Sequence, residues 1–202
     1  MRQPDTRLLL ATTNQGKVKE LRVLLAGTGV ELVSLLDFPH LRMPEETGMT
    51  FAENALLKAR AAAVEFGGWV LTDDSGLVVE ALDGAPGIHS ARYAGAGAGD
   101  AENNAKLLRA LVSVPEALRK AEFVCVLALV SPAGEEYLFE GFCRGRIATA
   151  PAGGGGFGYD PVFLVGPDYR LSMAQLSLEQ KAEVSHRGRA LRKFRAWWLA
   201  VF

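Results

Sequence analysis

The chain has 202 residues, 49% hydrophobic and 22% charged, with 22 Lys+Arg against 23 Asp+Glu. This composition excludes disorder, and the lack of any period excludes collagen-like and fibrous classes. A net charge of −1 argues against a broad basic surface for nucleic acid, so a polyanionic ligand would have to meet a few locally placed cations. The two cysteines, Cys125 and Cys143, lack CxxC or Cys/His spacing and are expected as buried thiols rather than zinc ligands. The start of the chain is polar, and no segment approaches the roughly 18 unbroken apolar residues of a membrane span. A soluble, cytoplasmic protein is expected.

In chain order, residues 7–11 form a buried strand, broken by Thr12, Thr13, Asn14, Gln15 and Gly16. From Lys17, the apolar positions Val18, Leu21 and Leu25 follow helical spacing, with Gly27 and Gly29 at the exit. Residues 31–35 are a short strand, and 37–49 a loop rich in Pro, Glu and Gly. Thr50 and Glu53 form a capping box that opens an Ala-rich helix to about residue 66. A strand at 69–72 is expected to end on the turn-favouring Asp73, Asp74, Ser75 and Gly76, with extended structure resuming over 77–82. Residues 84–99 are glycine-rich, and Asp100 is the expected cap of a helix to residue 112. Two strands, 123–131 and 135–147, flank a Pro132, Ala133, Gly134 turn. A second glycine-rich loop over 153–161 precedes a short strand at 162–165. Residues 177–202 are helical, with a break near Ser185. Strands that first alternate with helices and later pair locally predict an α/β fold, a mixed sheet with helices on both faces. Residues 1–202 are expected to form one domain.

Five clusters of residues could carry chemistry. Lys17 and Lys19 stand at a helix start, where a lysine is unfavourable unless an anion docks; the alternative is an Asn-capped helix with surface lysines. Asp73 and Asp74 project to opposite sides of an extended chain, so one can face metal or water while the other meets backbone or a lysine. The alternative is a plain turn. Glu45 and Glu46 add hard oxygen donors suited to Mg²⁺, or form a solvated loop face. Asn54 and Lys58, spaced i, i+4, share one helix face. Gly153, Gly155 and Gly158 match GxGxxG by accident, because Asp160 and Pro161 follow where a helix should. Phe157 instead suits a flat ring, with Asp160 at its polar edge; the alternative is a flexible loop with Phe157 tucked in the core. Lys181 and the Ser185, His186, Arg187, Gly188 run place donors at a second helix start; the alternative is a structural His186. No covalent-nucleophile elbow or zinc-hydrolase motif occurs. Phosphate-binding lysines, carboxylates for a metal and an aromatic loop together describe a nucleoside polyphosphate site.

These stretches resemble the inosine triphosphate pyrophosphatase family, the XTP/dITP diphosphatases. The resemblance runs in order through Thr12–Lys17, Glu45–Gly48 with Phe51 and Asn54–Ala59, Asp73–Leu77, Gly84–Gly87 with Ser90–Tyr93, Phe157–Asp160, and Ser185–Gly188. It implies Mg²⁺-dependent hydrolysis of ITP, dITP or XTP to the monophosphate and pyrophosphate, clearing such nucleotides from the pool. It also implies an elongated mixed sheet flanked by helices, with two lobes around a central cleft, and a homodimer. Carried over by position, Thr12, Thr13, Asn14, Gln15, Gly16 and Lys17 would hold phosphate. Asp74 would be the catalytic carboxylate and a metal ligand, with Glu45 a second ligand, Lys58 near the phosphates and Ser75 on the substrate. Phe157, Gly158, Tyr159, Asp160, Lys181, His186 and Arg187 would form the base pocket. Two other readings remain: a pyrophosphatase for modified pyrimidine nucleotides, and a nucleotide-binding module without activity.

Overall fold

In the computed structural model, which describes residues 7–202, six strands and five α-helices are found among the described residues. The strands are β1 (Arg7–Leu10), β2 (Glu31–Ser34), β3 (Trp69–Val79), β4 (Lys120–Val130), β5 (Glu136–Ile147) and β6 (Phe163–Val165). They form one sheet in the order β2-β1-β3-β4-β5-β6. β1 is parallel to β2 and β3, whereas β5 and β6 are antiparallel, so the sheet is mixed as expected. The helices are α1 (Gln15–Leu24), α2 (Phe51–Phe66), α3 (Asp100–Ala110), α4 (Leu178–Val184) and α5 (His186–Val201).

The chain packs as two compact units. One comprises the residues up to Asp74 with Cys125–Gly141 and Gly188–Phe202; the other comprises Ser75–Val124 and Phe142–Arg187. In the first, strand alternation sends Leu8 and Leu10 into one apolar cluster with Leu71, Leu127, Phe194 and Trp198. Leu9 goes into a second cluster with Ala62 and Val70. Both faces of β1 are therefore buried, which is why its sequence is a plain apolar run. In the second unit, Leu77, Leu107, Leu111, Phe123, Ile147 and Phe163 form the core. Cys125 and Cys143 are buried thiols on β4 and β5.

Local signals fixed the helix ends well. Thr50 Oγ accepts from the Glu53 amide at 3.1 Å, while Glu53 Oε2 accepts from the amides of Met49 and Thr50 at 2.7 and 3.2 Å. Gly67, at φ +70°, closes α2 in the left-handed region. The tail breaks at Ser185, which is extended between α4 and α5.

Two expectations are corrected. Asp73, Asp74, Ser75 and Gly76 do not turn; β3 runs unbroken for 11 residues through them. β3 lies between β1 and β4 in the sheet, with β1 paired to Trp69–Leu71 ahead of these four residues. The strand's place in the sheet, not the local turn preference of Asp, Ser and Gly, therefore sets the course of the chain. Asp100 does not cap α3. Gly99 is the cap residue, with its amide on Glu102 Oε2 at 2.8 Å, while Asp100 Oδ2 accepts from the Gly158 amide at 2.6 Å.

Candidate active site

Within the first unit, β1 delivers the chain into a tight Asx-type turn before α1. Thr12 Oγ accepts from the Asn14 amide at 3.2 Å, and Asn14 Oδ1 accepts from the Lys17 amide at 3.1 Å. Asn14 is thus the cap of α1. Thr13, Asn14 and Gln15 are exposed, whereas Thr12, Gly16 and Lys17 are half-buried. The Lys17 ammonium does not extend into solvent. It pairs with Asp73 Oδ2 at 2.8 Å, and this carboxylate offsets a positive side chain at the positive end of a helix.

Lys58, on the buried face of α2, is held more tightly. Its ammonium donates to Asp74 Oδ1 at 2.7 Å, Glu46 Oε1 at 2.8 Å and the Asp73 carbonyl at 2.9 Å. Three acceptors match the three protons of an ammonium group. Burial by itself would lower the Lys58 pKa, but the charges of Asp74 and Asp73 outweigh it, and the value is raised. Asp74 moves from 3.8 up to about 6: burial disfavours its charge, Lys58 opposes that effect, and the Glu46 charge adds to it. The cluster therefore gathers three carboxylates about two ammonium groups. Of the Glu45, Glu46 pair, it is Glu46 that bonds Lys58; Glu45 is exposed.

The Glu46 loop is anchored from α2. Asn54, wholly buried, accepts from the Gly48 amide through Oδ1 at 2.8 Å. A Cβ on Gly48 would lie 2.7 Å from that same oxygen, so this approach needs glycine. The predicted shared face of Asn54 and Lys58 thus has a physical use: one residue pins the loop and the other binds its carboxylate.

The donor chemistry suits a hard divalent cation. Among the described residues, no three His, Cys, Asp or Glu side chains form a cage ready for a metal. Carboxylates in excess over ammonium groups, at a site expected to receive phosphates, match the usual habit of Mg²⁺. That ion takes one or two protein carboxylates and completes its shell with water and phosphate oxygens.

A different cluster is built in the second unit. Asp160 is buried; its Oδ2 accepts from Lys181 Nζ at 2.6 Å and from the Phe157 amide at 2.9 Å. The half-buried Phe157 ring lies under two cations, Lys181 Nζ at 4.7 Å and the Arg187 guanidinium at 5.5 Å from its centroid. Arg187 reaches Ser75 Oγ at 3.4 Å. His186 is buried and stacks on Phe123, 4.7 Å between centroids and 12° between planes. Tyr159 is a core residue whose hydroxyl donates to the Ser90 carbonyl at 2.8 Å, and burial raises its pKa. Gly158 is fixed from α3 by Asp100 and by Asn104 Nδ2, which donates to its carbonyl at 2.8 Å.

Several of these supporting residues escaped the sequence reading. Glu46 and Asp73 were each visible as half of an acidic pair, but spacing alone could not say which half meets which lysine. Asn104 carried no local signal and Asp100 read only as a helix cap, because their partner Gly158 lies 54 and 58 positions away.

The chain as a whole has close counterparts. The model of the Ham1 family matches residues 8–197. The chain belongs to the Ham1 family. The dITP/XTP pyrophosphatase of Geobacter sulfurreducens is 54% identical over 186 residues, covering 92% of this chain and 93% of its own length. That of Geobacillus kaustophilus is 52% identical over 191 residues, covering 95% and 93%. The Ham1 protein of Staphylococcus aureus superposes with a TM-score of 0.86 at 41% identity, covering 97% of this chain and all of its own. The resemblance inferred from the motifs is thus confirmed at the level of family and fold.

Proposed function

We propose that this Ham1-family protein hydrolyses non-standard purine nucleoside triphosphates, dITP and XTP with ITP, to the monophosphate and pyrophosphate. The observation that carries the reading is Asp74: a buried carboxylate that shares the Lys58 ammonium group with Glu46, with its pKa pushed up to about 6. An ordinary aspartate, near 4, is a weak base at neutral pH. At about 6, Asp74 remains mostly ionised at pH 7 and is a better proton acceptor, as general-base catalysis requires. The activity for which the relatives are named supports the same reading.

Asp74 would take a proton from the water that attacks the α-phosphorus, and pyrophosphate would leave. Lys17 and Lys58 would oppose the charge that develops on the phosphate oxygens, and the Thr12–Gly16 turn would seat the phosphate chain. A bound Mg²⁺, held by Asp74 with Glu45 or Glu46, would supply charge neutralisation and acidify water. In the second unit, Lys181 and Arg187 present donors beside the Phe157 ring, a set suited to the oxygen-rich edge of a deaminated purine. Adenine, with an amino group where hypoxanthine carries oxygen, would leave those donors unmet.

Pyrophosphate release measured over dITP, XTP, ITP, GTP, ATP and modified pyrimidine triphosphates, with and without Mg²⁺, tests this. Preference for the deaminated purines is expected. Preference for a pyrimidine, or binding of ITP without pyrophosphate release, overturns it. The dimer that the resemblance implies is checked by sedimentation.

A further inference from the structure

Two neighbouring aspartates of β3 face different tasks, and only one is needed as the reacting carboxylate. Asp73 is the more deeply enclosed, its side chain 1% exposed beside an 18% exposed Lys17. It touches both lysines of the cluster by different atoms. Its carboxylate pairs with Lys17 Nζ at 2.8 Å, and its backbone carbonyl accepts from Lys58 Nζ at 2.9 Å. The two lysines come from separate elements, Lys17 in the first turn of α1 and Lys58 midway along α2. A lysine side chain has four rotatable bonds and no intrinsic reason to lie back against the strand. At the positive end of α1 it is also disfavoured electrostatically.

We propose that Asp73 is a positioning residue that holds the Lys17 ammonium in register with Asp74 and Lys58, and takes no direct part in the reaction. The inference rests on the function proposed above. Strand geometry explains why the duty falls on the preceding residue: successive side chains of β3 leave opposite faces, so Asp73 can reach α1 while Asp74 reaches α2. The Asp73 contact with Lys58 is made by its backbone carbonyl, so replacing the side chain addresses the Lys17 pair without removing that acceptor.

The test is a double-mutant cycle with Asp73→Asn and Lys17→Ala, read as pyrophosphate release from dITP. Losing an anchored charged pair should lower kcat about 10- to 100-fold in Asp73→Asn. In the Lys17→Ala background the same substitution should change kcat by less than about twofold, because the group it acts through is gone. Effects that multiply would mean that Asp73 acts directly or only supports the fold, and would overturn the proposal, as would full activity of Asp73→Asn. A second measurement does not depend on activity. Acetylation of Lys17 by a mild amine reagent, followed by mass spectrometry, should speed up about tenfold or more in Asp73→Asn. Acetylation at an unchanged rate overturns the positioning role. Faster acetylation in a protein with no pyrophosphatase activity would instead overturn the function and leave the positioning intact.

Discussion

The two ionic clusters of this molecule are built on opposite balances. In the first unit three carboxylates, Glu46, Asp73 and Asp74, surround two ammonium groups. In the second, two cations, Lys181 and Arg187, share the face of Phe157, and Lys181 pairs with the single buried carboxylate of Asp160. An excess of buried carboxylate raises a pKa and welcomes a divalent cation; an excess of donors beside an aromatic ring favours an acceptor-rich flat partner. The first arrangement suits proton transfer and phosphate chemistry, the second recognition. Substitutions in the first should therefore act on rate and stability, and those in the second on selectivity.

The largest effect expected is that of Asp74→Asn, which keeps the shape of the side chain but removes its basicity. Pyrophosphate release should fall by about a thousandfold or more while circular dichroism stays unchanged. A variant within tenfold of the parent would remove Asp74 from the reaction. Next is Lys58→Met, which deprives the buried Asp74 and Glu46 carboxylates of their shared ammonium group. Urea denaturation at pH 7 should show a loss of about 3–5 kcal/mol. Asp160→Asn should fall well short of Asp74→Asn in loss of rate. It too leaves a buried ammonium group, that of Lys181, unpaired and should cost stability, but its catalytic effect belongs in base selectivity.

Arg187→Ala sharpens the contrast from the other side. The ratio of kcat/KM for dITP over dATP should fall about 10- to 100-fold, with turnover of dITP much less affected. An unchanged ratio would refute the recognition role of the aromatic cluster.

The smallest effects are those of pH. With Asp74 at about 6, kcat/KM should drop by about tenfold for each pH unit below that value. The effect on stability has the opposite sign from that of an ordinary salt-bridged aspartate. The folded pKa lies above the unfolded value, so between about pH 4 and 6 the folded state holds more protons. The Asp74 contribution grows as pH falls through that window and is lost as pH rises past about 6. Urea midpoints of the parent and of Asp74→Asn, compared at pH 4.5 and 6.5, isolate this term. A difference between the two that does not change with pH would contradict the raised pKa.

Much of the fold was legible because its signals are local. The Thr50, Glu53 capping box, the Asn14 cap, the Ser185 break and the Pro132–Gly134 turn each act within a few residues, so spacing and residue type suffice. The family was legible because motifs spread along the whole chain kept their order. The failures were also physical. Asp73–Gly76 has the composition of a turn, yet it lies inside the 11-residue β3 of a six-stranded sheet. Asp100 looks like a helix cap but is drawn to the Gly158 amide.

By itself the sequence determined which groups were present: two lysines after helix starts, adjacent carboxylates, an aromatic glycine loop and a donor-rich second helix start. Nearly balanced charges also required those cations to be few and placed. Only the tertiary structure decided their partners, because Lys17 meets Asp73 across 56 positions, and Lys58 meets Glu46 and Asp74 across 12 and 16. It also decided the basicity of Asp74. A pKa of about 6 is not a property of an aspartate in a sequence; it arises when burial removes water faster than neighbouring lysines can compensate.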